Sequence, residues 1–502
     1  MVDFSLPRRT LRCGSLVATA LLFAGTVLAQ DRQSRNAGPS LTGPFINIWS
    51  AGNSISQSNQ FGLSLAQLPT GTLIAVGGDS FLKNSCRMFG GMWFNAVNPS
   101  GGSKVFQQLW ANCSPESQWG IYVRGTSDGG FIVSGEDDSA AFGICQPCAL
   151  LMKFTSADEL AWQEELISFS GGAFLHPRQT SDGDFILAGN GDDGINHGVL
   201  MKMASNGAGI WGQTYTESAT SFPNAIANIS AGLVFNSAAP TQDGGYIATG
   251  VADAKFASGF ANVLVVVKTD SLGNPVWAQA YFGNIWGSWV QADDQQYPIF
   301  PLSDGTYVLS GTAQQLDTPF QRVFLFMHID NNGNVLSASG YGGTGSNGQN
   351  KTTAHSAVQT SEGFVMAGDS DIFVSGETHG LAVWTDSQGN IVRQNYYSGT
   401  EPSGQNAVQL TDVIQTSDGG YAFAGSAYVG NLSFGGPGFL LGKTDANGEI
   451  GTCSCVHTAT TSIQSLDLVA HAATFTVQGF TPALVNSNIE KANTSVSPKI
   501  LH

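Results

Sequence analysis

The chain has 502 residues, of which 42% are hydrophobic and only 11% charged, and it carries 63 glycines. A formal net charge of −17 would repel a duplex nucleic acid, which excludes that class as a main ligand. Low charge with so much glycine suits short strands and tight turns rather than solvated helices, and no segment reads as a long amphipathic helix.

The first 29 residues have the form of an export signal. Arg8, Arg9 and Arg12 make a basic start, an apolar run follows from Leu16 to Leu28, and small residues before Ala29 offer a cleavage site. The run is short for a membrane span. The expectation is a secreted protein, periplasmic or extracellular, with no transmembrane segment after cleavage. Residues 30–44 read as a linker. The cysteines beyond the signal are Cys86, Cys113, Cys145, Cys148, Cys453 and Cys455, an even set in an exported chain. Local pairing is expected: Cys86 with Cys113, Cys145 with Cys148, and Cys453 with Cys455, the last closing a tight ring. "CQPC" lacks the following His of a haem attachment site, and no zinc site is expected from it.

From about residue 45 to 455 one pattern recurs. Its clearest copies are "PTQDGGYIATG" ending at Gly250 and "QTSDGGYAFAG" ending at Gly425; others end at Gly135, Gly189, Gly311 and Gly368, and a degenerate first copy ends at Gly77. Copies lie roughly 54 to 61 residues apart, a blade-sized period. Within a copy, a short strand leads to Asp-Gly-Gly, where Asp opens the turn and Gly supplies positive φ. A second strand ends at a Gly. The third strand is almost wholly apolar, as in "VLVVVKTD", which predicts packing on both faces. A D-x-x-G-N turn then leads to a fourth strand carrying Trp162, Trp211, Trp277 or Tyr281.

One four-stranded antiparallel sheet cannot cover two apolar faces alone, whereas sheets stacked around an axis cover all of them. The sequence therefore predicts an all-β, single seven-bladed β-propeller of four-stranded antiparallel blades. "GPFINIW" at the start looks like an outer fourth strand, and the last repeat lacks one. Residues Phe45 to Trp49 are expected to complete the last blade. Residues 456–490 read as a C-terminal β extension, a hairpin docked on the blades, and 491–502 as a disordered tail.

The pattern "QTSDGGYxxAG … VLVVKTDSxGNxxW" resembles the repeats of secreted or cell-surface DGG-repeat β-propeller proteins of bacteria and archaea, most of them uncharacterised. The resemblance covers about residues 46–449. It implies the fold and almost nothing about activity.

The turn aspartates Asp128, Asp182, Asp243, Asp304 and Asp418 recur too often for a catalytic acid and read as structural. Asp270, Asp330, Asp386 and Asp445 open D-x-x-G-N turns, with a calcium-loop reading beside the hairpin-turn one and no other cofactor or metal expected. What varies between repeats is more informative. A column at the start of the innermost strand reads Ser64, Tyr122, His176, Ser237, Pro298, Ser356, Asp412. His176 and Asp412 are its candidate catalytic pair, with His355 beside the column and Arg124 and Arg178 two positions further along. Trp286, Trp289 and Tyr297, near Asp293 and Asp294, form an aromatic cluster of the kind that grips sugars. No Ser-His-Asp order, H-E-x-x-H or P-loop accompanies these residues. The expectation is a monomeric binding protein for a glycan or a cell-surface protein partner. The alternative is an extracellular polysaccharide hydrolase or lyase, so whether the chain is an enzyme stays open at this point. A quinone cofactor is disfavoured by the missing Trp docking pattern.

Overall fold

The computed structural model describes residues 43–49, 60–79, 91–111, 118–137, 148–170, 175–194, 196–217, 232–256, 259–288, 297–315, 321–343, 350–374, 377–399, 407–427, 438–487, 490–492 and 499–500. The expected signal segment lies outside them, as do Cys86, Cys113 and Cys145.

The described chain is all-β, and its strands form antiparallel units of four strands with a fifth added at the outer edge, the fourth to sixth units being linked through Trp286–Ser288 and a short parallel pairing of Gln321 and Arg322 with Asn350 and Lys351. The first unit is Gln60–Gln67, Leu73–Asp79, Gly91–Val97 and Lys104–Ala111. The second runs from Gln118–Gly125 to Leu160–Leu166, the third from Leu175–Gln179 to Gly209–Glu217, and the fourth from Val234–Pro240 to Pro275–Phe282. The fifth runs from Ile299–Pro301 to Val335–Gly342, and the sixth from Asn350–Gln359 to Ile391–Tyr397. The seventh supplies Val408–Gln415, Tyr421–Ala427 and Gly438–Thr444, and its fourth strand is Phe45–Trp49 from the other end of the chain, with Phe45 opposite Lys443 and Trp49 opposite Phe439.

The apolar third strands explain the packing. In the second unit Cys148–Phe154, and in the seventh Gly438–Thr444, every residue is buried. Each hydrophobic cluster is shared by two consecutive units. One joins Val76 and Phe94 of the first to Val133 and Leu150 of the second, and another joins Leu264 of the fourth to Leu325 of the fifth. The cluster of Phe45, Trp49, Leu65, Trp93 and Phe439 joins the seventh unit to the first. Outer-strand tyrosines stitch the same seams. The hydroxyl of Tyr281 donates to the Gly333 carbonyl at 2.8 Å, that of Tyr341 to Gly389 at 2.5 Å, and that of Tyr397 to Gly448 at 2.9 Å, each in the next unit's turn.

The turns behave as their residues predict. Gly244 in the fourth Asp-Gly-Gly turn has φ +82°, and a Cβ on Gly250 would lie 2.3 Å from the Val234 carbonyl oxygen. Asp270 accepts from the amides of Leu272 and Asn274 and from the Asn274 side chain, so its turn consumes its carboxylate. A column missed in the sequence completes the Asp-Gly-Gly turns. Lys153, Lys268 and Lys443, near the ends of third strands, bond back to Asp128, Asp243 and Asp418 at 2.6–2.8 Å. Burial pushes Asp128 and Asp243 up, but lysine, threonine and glycine donors outweigh it and hold both at about 2. Their folded pKa lies below the ordinary value of 3.8, so these pairs stabilise the fold above about pH 4. Acid titration followed by circular dichroism should show that stability lost as pH falls from about 4 toward 2, and Asp128→Asn with Asp243→Asn should flatten that limb.

The C-terminal segment corrects two expectations. It forms no hairpin. Val456–Thr458 pairs with the outer strand of the sixth unit, Ser462–Ser465 with the fifth, Val469–Ala472 with the fourth and Phe475–Phe480 with the third. Leu484–Asn486 then pairs with the second unit, Glu490–Ala492 with the first, and Lys499–Ile500 with Phe45–Trp49 of the seventh. Each pairing is antiparallel, so the segment is a belt that visits every sheet in reverse order. Part of the stretch assigned to a disordered tail is therefore strand. The reason is that each sheet offers an unpaired outer edge, and these polar, β-compatible residues satisfy it. Leu466 and Leu468 anchor the belt in the core between the fourth and fifth units. The Asp467 carboxylate between them accepts from the amides of Asn284, Ile285 and Trp286. Cys453 and Cys455 are disulfide-bonded where the belt begins, with Cα atoms 5.1 Å apart. Cys148 is disulfide-bonded as well.

Glu165 is fully buried under the belt in the second unit. Burial raises its pKa to about 7, with Asp137 pushing the same way against a hydrogen bond from Ser487. A carboxyl raised in the folded state costs stability as pH climbs from 4.5 through about 7. Glu165→Gln should therefore raise stability at pH 8 by about 2 kcal/mol and leave it unchanged at pH 4, as read by urea unfolding at the two pH values.

Candidate functional site

The innermost strands bring one set of variable residues together. In five of the units a β-bulge interrupts the pairing of the first and second strands, immediately before Ser64, Tyr122, Ser237, Ser356 and Asp412. The extra residue re-aims the side chain that follows it. The result is a cavity of about 280 Å³ lined by Tyr122 and Arg124 of the second unit, His176 and Arg178 of the third, Ser237 of the fourth, Pro298 of the fifth and Asp412 of the seventh. Ser64, Ser356 and His355 do not line it.

Asp412 is the most heavily bonded carboxylate of the group. Its Oδ2 accepts from the Ser64 hydroxyl at 2.7 Å, the Leu65 amide at 3.1 Å and Arg124 Nη1 at 3.1 Å. Its Oδ1 accepts from the Ser356 hydroxyl at 2.6 Å and its neighbour Val413's amide at 2.9 Å. These donors come from the sixth, seventh, first and second units. Asp412 is 1% exposed, so its charge is stabilised only by them. Arg124 also donates to Ser64 and to the Val123 carbonyl, and its guanidinium lies 5.0 Å from the Tyr122 ring centre.

His176 is not paired with Asp412 by any hydrogen bond. Its ring centre lies 3.9 Å from that of Tyr122, and its Nδ1 is buried with no hydrogen-bond partner among the described residues. Burial, reinforced by the Arg124 charge, lowers its pKa to about 3, so the imidazole is neutral at physiological pH. Arg178 lines the cavity with its side chain exposed to solvent. Crowding by the surrounding protein and the nearby Arg124 charge lower its pKa. Its Nη1 donates to the Ile299 carbonyl at 3.4 Å, and among the described residues no carboxylate pairs with it.

The other expected binding residues are packing residues. His355 is the bulged residue of its strand and does not line the cavity. It is buried and its Nε2 meets Asp369 at 2.6 Å. Trp286 is 4% exposed and Tyr297 fully buried, both in the core between the fourth and fifth units. Tyr297 fills the space above Gly311, where a Cβ would lie 2.1 Å from its ring, and its hydroxyl donates to the Thr312 carbonyl. Neither offers a face to a sugar. Trp289, Asp293 and Asp294 lie outside the described residues. Ser64 and Ser356 were visible in the variable column, but their role as donors to Asp412 required knowing which repeats become neighbours.

Among the described residues no group of three or more His, Cys, Asp or Glu side chains could hold a metal ion, and no helix is long and apolar enough to cross a membrane. No family model and no curated protein matches the chain. Among solved structures it is similar to a protein of unknown function from Dyadobacter fermentans DSM 18053, at 8% identity and a TM-score of 0.37, covering 81% of this chain and 98% of that one. It is also similar to the polysaccharide lyase Uly1, at 8% identity and a TM-score of 0.41, covering 79% of this chain and 92% of that one.

Proposed function

We propose that the chain is an exported seven-bladed β-propeller that binds a glycan in the cavity formed by its innermost strands. The fold reading rests on the shared hydrophobic clusters, which run from unit to unit and return from the seventh to the first. The binding reading is carried by one observation: repeats that keep their turns and apolar strands constant place different polar side chains around a single cavity. A scaffold has no need of that variation. Tyr122 and His176 supply rings, and Arg124 and Arg178 supply donors. That is the mixed aromatic and polar lining a sugar requires. Screening the mature chain on a glycan array tests this. Binding that is lost in Tyr122→Ala supports the cavity, and an array with no signal removes the proposal.

A second reading, polysaccharide cleavage, is favoured by His176. Its imidazole is neutral, and a bound ligand that offset the burial and the Arg124 charge holding its pKa at about 3 would let it accept a proton as a general base. If the chain cleaves a polysaccharide there, His176→Ala should lower turnover about 10²–10⁴-fold. Release of reducing ends or of unsaturated products measures it, and unchanged turnover would exclude His176 as the base.

A further inference from the structure

We infer that the ligand carries an anionic oxygen group, a carboxylate or a sulfate ester on one sugar unit, and that Arg178 is its seat. This rests on the glycan-binding reading of the same cavity and names the ligand's chemical class.

The inference comes from charge accounting around the cavity. Arg124 and Arg178 are its cations and Asp412 its carboxylate. Asp412 is committed to Arg124 and to donors on both sides, so it has no capacity left for Arg178. His176 is neutral and offers no negative charge. Among the described residues one cation is therefore left over, in a chain with 20 Lys and Arg against 37 Asp and Glu. The Arg178 side chain is exposed at the cavity, so its guanidinium donors are open to an incoming group. Its planar fork matches a carboxylate or sulfate with two parallel hydrogen bonds, and the surrounding protein strengthens such bonds. The cavity lies just below the ~300–1,000 Å³ of typical small-molecule sites, so it suits one ring rather than a longer segment of polymer. The Tyr122 and His176 rings, in contact with each other, form its apolar side.

The test uses isothermal titration of the mature chain with D-glucuronate, glucose 6-sulfate, glucose and inorganic sulfate, at low and high sodium chloride. Wild type is compared with Arg178→Gln and Arg178→Lys, with circular dichroism confirming that each variant is folded. Among the described residues Arg178 makes only a long bond to a carbonyl, so both should be. The expected result is binding of glucuronate or glucose 6-sulfate that weakens with salt, falls about 10–100-fold in Arg178→Gln and is partly kept in Arg178→Lys. Glucuronate against glucose 6-sulfate distinguishes the two oxyanions. If glucose binds as tightly as its acidic analogues and Arg178→Gln binds like wild type, the anion seat is wrong while glycan binding stands. If inorganic sulfate binds through Arg178 but no sugar does, the seat stands and the glycan reading falls. If none of the probes binds, both fall.

Discussion

Ending the chain at Cys455 should lower the thermal midpoint by on the order of 10 °C. The removed belt buries Leu466 and Leu468 in the core between the fourth and fifth units, and loss of those two side chains alone costs about 1.5–3 kcal/mol each. Its strands also cap the outer edges of all the sheets, and their removal leaves those backbone donors and acceptors without a protein partner. Differential scanning calorimetry of the truncated and full chains measures the difference. Light scattering adds an independent reading, since bare edges invite pairing between molecules. A truncated chain that melts with the full-length one and stays monomeric would show that the belt is an ornament.

Asp412→Ala should destabilise the fold by about 3–5 kcal/mol, the usual consequence of removing one partner from a buried, fully bonded charge. The cost has a specific origin. Ser64, Leu65, Ser356 and Val413 lose an acceptor at once, and all are inaccessible to water. Arg124 keeps the Val123 carbonyl but loses its counter-charge. Asp412→Asn should be intermediate, since an amide presents one acceptor and one donor to a ring of donors. Chemical denaturation of the three proteins orders them. If Asp412→Ala unfolds at the wild-type denaturant concentration, the carboxylate does not hold the seam between the last unit and the first. The same substitutions would change any activity, so stability must be measured before Asp412 is given a chemical role.

The repeats were legible in the sequence because each is written in local chemistry. Asp-Gly-Gly and D-x-x-G-N are turns wherever they occur, and a run such as Val263–Val267 can only be covered from both sides. The strand at Phe45–Trp49 was legible for a similar reason: the last repeat lacked a strand and the first residues supplied one. The lysines that bond the turn aspartates were on view as a column, one residue before the end of the apolar strand, but nothing local says that the strand doubles back to that turn. Trp286 and Tyr297 misled because aromatic residues in a long connection have the same composition whether they face solvent or fill the gap over Gly311. The belt was illegible for a deeper reason. Residues 456–500 have no strong period, and their strands exist only because preformed edges accept them. His355 and Ser356 show the finest limit, since a one-residue bulge separates the side chain that meets Asp369 from the one that donates to Asp412.

The belt ends where the fold begins: Asn47 lies opposite Leu441 on one side and Ile500 on the other. The strand at the start of the polypeptide is thus held between two partners made last. During synthesis it must wait for nearly the whole chain, and the edges of finished sheets stay raw until the final fifty or so residues arrive. Pairings this distant in sequence make folding slow, because loop closure must be met before any long-range contact contributes.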